Sequence, residues 1–452
     1  MRHWRKITAL ALPSILSFAT ITASGTLNLI IVGEMGALII AIVGVSNIIM
    51  YNAWALFSGL GHTVNYLVAQ SFGANRMDKA VERTQIALGV GLAVGLIVIA
   101  AGMFGARSIL MWMGGSAEFV DTGERYLRLR FVAMAFSILI FVFHGFLRGI
   151  GDARTPMVLT VIGNAVMVAL TYGLAFGHWG MPELGLAGAG WAMLIGEAIG
   201  LLGCLYVYYI RAGKRFGTLR IVRPESSELR LIAAESGKLG VQEFAMSAAM
   251  LIFTRFVMEL GTAAVAANEI ALNVMSFGFM PAFAFGATAT ILVGQEIGRG
   301  APFLARKLGT ETAKLGSILI FVLGVVEFIL AEPIAKVYSN DPEVYKLTSD
   351  LIRASAFLQL FDGLYNFYAG GLRGIGDTSF LLKTSLVLNW LVFVPLAYVF
   401  MFVFDFGSYG AWYALYTFLT LFALVLMIRY YRADWANIRL KEAQPESKAE
   451  PN

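Results

Sequence analysis

The stretch Leu372-Arg373-Gly374-Ile375-Gly376-Asp377 decides the fold, because the same six residues occur earlier in the chain, at Leu147 to Asp152. The two copies stand 225 positions apart (377 − 152) in a chain of 452 residues. The same offset joins further identical pairs: Glu34 and Glu259, Gly61 and Gly286, Gln70 and Gln295, Gly145 and Gly370, Asn164 and Asn389. The chain is therefore one fold written twice.

The composition predicts a polytopic helical membrane protein. The chain is 58% hydrophobic and 14% charged, whereas a soluble domain carries about 25% charged residues. Apolar runs long enough to span a bilayer as a helix recur along the whole length. A net charge of +5 with basic residues spread between these runs indicates membrane topology and no nucleic-acid partner. A single cysteine, Cys204, excludes an intramolecular disulfide.

We count twelve spans between residues 7 and 430, six in each copy of the repeat. The fold class is all-α, with two parallel six-helix repeats, because an even number of spans returns the chain to the same side of the membrane. The connections alternate between basic groups, such as Arg76 and Lys79, and acidic ones, such as Glu118 and Asp121. The positive-inside rule then places both termini in the cytoplasm.

The polar stretches divide the chain into four predicted segments. These are an N-terminal six-helix lobe at 1–210, a cytoplasmic linker at 211–236, a C-terminal six-helix lobe at 237–432 and a disordered cytoplasmic tail at 433–452. The linker contains Arg220, Pro224 and Ser226, and the tail is polar to its end.

The repeated hexapeptide is interpreted as a structural turn between two helices on the cytoplasmic side. Its arginines, Arg148 and Arg373, would anchor helix ends at the interface, and its glycines permit the turn. Asp152 and Asp377, or the threonines that follow them, are suited to start the next helix. A direct substrate role for these residues is not expected.

The doubled plan, the two loops and the matched segments beginning at Leu67 and Leu292 resemble the multidrug and toxic compound extrusion (MATE) family. The resemblance covers about residues 6–430. It implies a secondary antiporter in the cell (inner or plasma) membrane that expels organic cations and other amphipathic xenobiotics in exchange for H⁺ or Na⁺. It also implies a monomer that needs no ATP and no cofactor beyond the coupling ion.

Charged groups inside a span are costly, so they are candidates for function. Asp362 lies about eleven residues from each end of its span, about 16 Å from either boundary, and no neutralising partner is obvious on its own helix. Its repeat counterpart is Ser137, so the acid occurs in one half only. The resemblance agrees, because many family members carry an Asp eleven residues before the loop Arg, which is Asp362 here.

Glu243, in the cytoplasmic half of the seventh span, is the second candidate. Members of the family often have a Glu here, described as a partner of the Asp in the tenth span in binding a cation. The alternative is an ion pair with Lys238. Two carboxylates that share a dry cavity would bind an exchangeable proton or Na⁺, so a sodium site at Asp362 and Glu243 is one reading.

Five further polar residues are candidates for the substrate cavity. Glu269 follows Asn268 near the outer end of the eighth span and could line a cavity or pair with Arg255. Glu197, in the sixth span, suits a hydrogen bond to a neighbouring helix or ion coupling. Asn28 and Asn164 stand where the pattern of one branch of the family predicts a proton relay, but that branch has an Asp in place of Asn28 and of Val168. The relay is therefore in doubt here, and coupling is assigned to the C-terminal half.

The leading prediction is a cation-coupled exporter that works by alternating access of its two lobes. One alternative is a lipid-linked sugar flippase of the wider superfamily, for which Arg128, Arg255 and Arg353 are the bases to examine. Another is a membrane receptor or scaffold, which would need no acid in mid-membrane. An enzyme is disfavoured, because the sequence shows no nucleotide-phosphate loop, no clustered His/Cys metal spacing and no nucleophile with an adjacent base.

Overall fold

The computed structural model describes residues 2–113, 116–220, 223, 225–338 and 341–443, and in these it is helical throughout, with no strand. The helices are α1 Arg2–Gly33, α2 Ala37–Gly73, α3 Met77–Trp112, α4 Ala117–Gly149, α5 Arg154–Phe176, α6 Leu186–Phe216, α7 Ser226–Met258, α8 Thr262–Gly298, α9 Pro302–Ile329, α10 Ala331–Tyr338, α11 Pro342–Gly374, α12 Thr378–Val403 and α13 Gly407–Arg432.

Twelve of these helices are long, and the predicted twelve-span, two-repeat architecture is confirmed. Eleven of the twelve have the length and the apolar content to cross a bilayer. The remaining helix is α11, the predicted tenth span, whose sequence is less apolar than that of the other eleven. That helix carries Asp362, so the exception lies where the sequence predicts chemistry.

The repeated loop forms the predicted turn in both halves. Gly151 and Gly376 have φ angles of +92° and +81°, a region that glycine enters without strain. In the first copy the Asp152 carboxylate accepts hydrogen bonds from the backbone N–H groups of Arg154 (3.1 Å) and Thr155 (3.0 Å), so it caps α5.

In the second copy, the next helix begins at Thr378, as the sequence allowed, but without a capping bond from the aspartate. Asp377 occupies the cap position of α12 but its side chain makes no capping hydrogen bond. Its carboxylate instead accepts a 2.8 Å bond from Arg429 Nε, 52 residues further along the chain. A charged partner on a neighbouring helix has therefore replaced the local backbone partner.

The chain forms two compact units. The N-terminal unit contains Leu16–Gly240 and the end of the chain from Lys441, and the C-terminal unit contains Met1–Ile15 and Val241–Leu440. The boundaries differ from the predicted lobes but obey the repeat, since Leu16 and Val241 are 225 positions apart. Helices α1 and α7 are each divided at equivalent positions.

Polar contacts explain why each of these two helix starts belongs to its unit. In the C-terminal unit, Trp4 Nε1 donates to Glu311 (2.8 Å) and Lys6 pairs with Glu296 (3.4 Å). In the N-terminal unit, Glu228 at the start of α7 accepts two bonds from Arg83, the shorter one 2.9 Å long.

The structure describes helices within the predicted linker and side-chain contacts at the start of the predicted tail. Helix α6 continues to Phe216 and α7 begins at Ser226, so most of the predicted linker is helical; Pro224 lies outside the described residues. In the tail, Trp435 is buried and its indole N–H donates to the Tyr430 carbonyl (2.8 Å). The backbone N–H of Lys441 donates to Gln70 Oε1 (2.9 Å). Residues 444–452 lie outside the described part of the chain.

Paired glycines allow close helix crossings at equivalent positions of the two units. A Cβ atom on Gly145 of α4 would stand 2.6 Å from the Gly61 carbonyl oxygen of α2. The repeat counterparts do the same, because a Cβ atom on Gly370 of α11 would collide with the Gly286 carbonyl of α8. Small residues at such crossings let two backbones approach within a membrane.

We expect Gly145→Ala to destabilise the protein by about 1–3 kcal/mol, because the added methyl group must push α2 and α4 apart. The measurement is the midpoint of thermal unfolding in detergent. Gly89→Ala is the matched control, since a Cβ atom there meets nothing within 4 Å and alanine favours a helix by about 1 kcal/mol. A Gly145→Ala midpoint at or above that of the wild type would contradict the close crossing.

Candidate functional site

Six buried polar residues lie along one face of α11, and we call them the polar stripe. They are Thr348, Ser355, Gln359, Asp362, Asn366 and Arg373, and each is at most 9% exposed. Steps of three, four and seven residues keep side chains on the same face of a helix. The stripe thus runs from the beginning of α11 to its end at the repeated loop, with Asp362 near its middle.

Asp362 has an amide neighbour and no basic one. Asn366, one turn further along α11, donates from Nδ2 to the Asp362 carboxylate (3.3 Å) and to its carbonyl oxygen (2.9 Å). Asp362 is 3% exposed, and among the described residues no Lys, Arg or His forms an ion pair with it. A buried carboxylate in that setting has a strong tendency to bind a proton or a cation.

Glu243 pairs with the repeated loop. Its carboxylate lies 3.5 Å from Arg373 Nη2, at the end of α11. The predicted alternative partner, Lys238, pairs instead with Glu235 (2.8 Å). The expectation that Arg373 anchors a helix end at the interface is also corrected, because its side chain is only 10% exposed and faces an acid.

Tyr365 is a buried side chain in the neighbourhood of both acids. It is 5% exposed, and it lies close enough to Glu243, Arg373 and Asp362 to interact electrostatically with all three. Its ring packs against Phe422 with centroids 4.4 Å apart. The sequence reasoning missed Tyr365 and Asn366, although their positions three and four residues after Asp362 could have revealed them.

A second polar contact ties α12 to the same region. Ser385 Oγ donates to the carbonyl oxygen of Gln242 (3.2 Å), the residue before Glu243. Asn389 is fully buried. Its Nδ2 donates to the carbonyl oxygen of Ser385 (2.8 Å) and to the hydroxyl oxygen of the same residue (3.1 Å). Asn389 was recognised only as the repeat counterpart of Asn164, and nothing local in its sequence pointed to this contact.

The outer candidates of the C-terminal half are separated by the structure. Glu269 is exposed and does not pair with Arg255, which lies 3.8 Å from Glu259. Asn268 is buried, and its Oδ1 accepts a bond from Trp412 Nε1 (3.2 Å), so it joins α8 to α13. The predicted role in a substrate cavity stays a prediction for both residues. Asn268 also has a hydrogen-bond partner on α13.

In the N-terminal unit, the candidates are one acid and two amides on three different helices. Glu197 is half-buried beside the hydroxyl of Ser137 on α4, the repeat counterpart of Asp362. This agrees with the interpretation of Glu197 as a partner of a neighbouring helix. Asn28 is buried and Asn164 half-buried. Arg148 is buried with its guanidinium 5.6 Å from the ring centre of Phe18.

The three bases named for a flippase are paired with acids on their own helices. Arg128 lies 2.5 Å from Glu124, Arg353 lies 3.6 Å from Asp350, and each pair is at least partly exposed, as is the Arg255 pair. They do not form a cationic cluster.

The comparison with known proteins also detects the duplication. The MatE family model matches the chain twice, at residues 13–172 and 239–399. The multidrug resistance protein PmpM of Pseudomonas aeruginosa is 28% identical over 99% of this chain and 95% of its own length. A probable multidrug resistance protein NorM of Thermotoga maritima is 26% identical over 82% of this chain and 80% of its own length.

Solved structures share the fold. An outward-facing multidrug resistance MATE family transporter of the MOP superfamily superposes with a TM-score of 0.86 at 20% identity, over 94% of both chains. A MOP superfamily transporter from Pyrococcus furiosus, described as having a binding pocket of reverse polarity that suggests a different function, reaches 0.85 at 19% identity, again over 94% of both chains.

We expect Glu243 and Arg373 to be energetically coupled. In a double-mutant cycle of Glu243→Gln and Arg373→Gln, unfolding in detergent should give an interaction free energy of about 0.5–3 kcal/mol, because each single change removes the opposite charge that lies 3.5 Å from the other side chain. Arg255→Gln combined with Glu243→Gln is the control, since twelve residues on a helix separate them by about 18 Å. Additive effects for both pairs would show that the 3.5 Å contact carries no energy.

Proposed function

The chain belongs to the MatE family of multidrug efflux transporters, and from this premise we propose that it is a secondary antiporter driven by H⁺ or Na⁺. As a member of that family it is a multi-pass membrane protein that acts on small drug substrates, and it is a transporter, not an enzyme. The proposal adds the coupling ion, the class of substrate and the residues.

The single observation that carries the proposal is the setting of Asp362. This carboxylate is buried in a membrane-spanning helix with an amide beside it and, in the described residues, no basic partner. Leaving such a group ionised costs several kcal/mol. An arriving H⁺ or Na⁺ therefore gains free energy by binding there, and a bound cation changes the stability of whichever state of the transporter exposes it.

Glu243 is the second coupling residue in this mechanism. Its carboxylate is held by Arg373 at 3.5 Å, and Tyr365 interacts with both Glu243 and Asp362. Neutralising Asp362 changes the electrostatic balance of this group, which allows Arg373 and Glu243 to shift together. A ligand can move a conformational equilibrium only through such a difference in affinity between two states.

The substrates are organic cations and other amphipathic compounds. The relatives are named multidrug resistance proteins, and a cationic substrate would compete with the coupling ion for the negative charge of Asp362. The fold by itself does not select this substrate, since a transporter of the same fold is described as having the reverse pocket polarity. The acid-paired and at least partly exposed positions of Arg128, Arg255 and Arg353 argue against the cationic cavity of a lipid-linked sugar flippase.

The protein resides in the cell (inner) membrane with both termini in the cytoplasm, as the alternation of basic and acidic connections indicates. It works as a monomer by alternating access of its two halves, and the gradient of the coupling ion supplies the energy in place of ATP. No cofactor and no nucleic acid takes part.

We expect Asp362→Asn to abolish ion-driven efflux of a fluorescent organic cation from proteoliposomes, because the amide cannot exchange a cation. Expression and folding in detergent should be unaffected. Asp350→Asn on the same helix is the matched control, since that acid is half-exposed and paired with Arg353, and it should transport at the wild-type rate. Undiminished transport by Asp362→Asn would overturn the assignment.

A further inference from the structure

A second buried acid stands beside the polar stripe, outside every site described above. Glu327 lies two residues before the end of α9 and is 8% exposed. Its carboxylate accepts a short hydrogen bond from Gln359 Nε2 of the stripe. Glu327 therefore reaches across from α9 to α11, at the end of α9 that the proposed topology puts on the outer side.

Gln359 links Glu327 to Asp362 along α11. The two stripe residues are three positions apart, a rise of about 4.5 Å, and they share a face. The Gln359 amide oxygen is buried and accepts no hydrogen bond from the described residues. The same holds for the Thr348 hydroxyl oxygen further out on the stripe. The stripe thus has acceptor capacity between the outer end of α11 and Asp362.

The charged groups around the outer end of α9 are engaged with one another and not with Glu327. On α10, Lys336 pairs with Glu332 (2.6 Å), and on α11, Arg353 pairs with Asp350 (3.6 Å). Both pairs are half-exposed. Within the described part of the chain, Glu327 makes no ion pair, and its nearest acid along the stripe is Asp362.

The arrangement suits a proton better than a metal ion. A proton requires one carboxylate oxygen, which Glu327 supplies. A metal ion requires several oxygen ligands, and the described residues contain no group of three or more His, Cys, Asp or Glu side chains that could hold one. Chains of intramembrane acids are the usual elements of proton relays in transporters.

We propose that Glu327 is the outer proton acceptor of the transporter and passes its proton along the polar stripe to Asp362. A proton from the outer water binds the Glu327 carboxylate and makes it neutral. In the transfer step the O–H bond at Glu327 breaks and one forms at Asp362, so Glu327 regains its negative charge and Asp362 loses its own. The inference rests on the proposed antiport function and adds the route to it.

Glu327→Gln tests the proposal, because glutamine keeps the volume and a hydrogen bond to Gln359 but cannot bind the proton. In proteoliposomes with ethidium as the probe and a proton gradient alone, we expect its efflux rate to fall at least about tenfold. The defect should shrink as the outer solution is acidified, since protons then reach Asp362 without the relay. Equilibrium binding of ethidium in detergent should match the wild type.

Two variants serve as controls. Glu332→Gln removes an exposed acid five residues away and should transport at the wild-type rate with the wild-type pH profile. Glu327→Asp keeps a titratable group and should recover at least part of the rate. A purely structural hydrogen bond would be preserved in Glu327→Gln, so wild-type efflux and pH profile in that variant would overturn the proposal.

The remaining outcomes separate the relay from the antiport mechanism. If the wild-type protein transports ethidium under a sodium gradient alone, the relay is overturned and the antiport function stands. If Asp362→Asn transports at the wild-type rate, the antiport assignment itself is overturned. If Glu327→Gln does not fold, carbodiimide labelling of the wild-type protein decides, because the reagent modifies protonated carboxyl groups in apolar surroundings. Labelling of Glu327 should rise as the pH falls from about 8 to about 6, and its absence would overturn the proposal.

Discussion

The cost of holding a carboxylate in a hydrocarbon layer governs the C-terminal unit. Asp362 cannot face lipid, so the face of α11 that carries it must be covered by protein. Helices α8, α9 and α13 pack against α11. The approach of α8 is close because Gly286 and Gly370 remove the side chains at the crossing. The other polar residues of the stripe follow from the same requirement, since each must be buried on the same face.

The duplicated scaffold and the unduplicated chemistry use the same positions differently. The stripe residues Gln359, Asp362 and Asn366 correspond to Met134, Ser137 and Phe141 in the first half. In that half Phe141 fills the space, with its ring 5.2 Å from His62 and 5.4 Å from Trp54 between centroids. At this position the N-terminal unit thus carries an aromatic ring where the C-terminal unit carries the amide of Asn366. Only the arginine at the end of the stripe is shared, as Arg148 and Arg373.

The shared arginine makes different contacts in the two halves. Arg373 faces Glu243, whereas Arg148 lies over the ring of Phe18. Because one copy pairs with an acid and the other with an aromatic ring, only the second loop is electrostatically tied to the candidate coupling site. The hexapeptide that reveals the duplication is therefore a turn in both halves, and in the second half its arginine also pairs with the candidate acid Glu243.

Much of this protein could be read from its sequence, because local physics repeats along the chain. The long apolar runs predicted the twelve long helices, the offset of 225 predicted the duplication, and the charge at the centre of the tenth span singled out Asp362. The residues of the polar stripe, from Thr348 to Arg373, are spaced in the sequence with the period of a helix. Backbone hydrogen bonding alone sets that period, so the sequence places these residues on one face.

Only the tertiary structure decided which helices meet and through which side chains. The partner of Glu243 is Arg373 and not the nearby Lys238, the partner of Asp377 is Arg429 and not the adjacent backbone, and Glu327 meets Gln359 across 32 residues. In the same way, the hydrogen bonds of Trp435 to Tyr430 and of Lys441 to Gln70 are not predicted by the polar composition of the tail. Such pairs depend on packing between helices distant in sequence, which helical periodicity does not encode. The sequence by itself determined the helices and the position of Asp362 in the tenth span. Side-chain packing between helices determined which residues surround that acid.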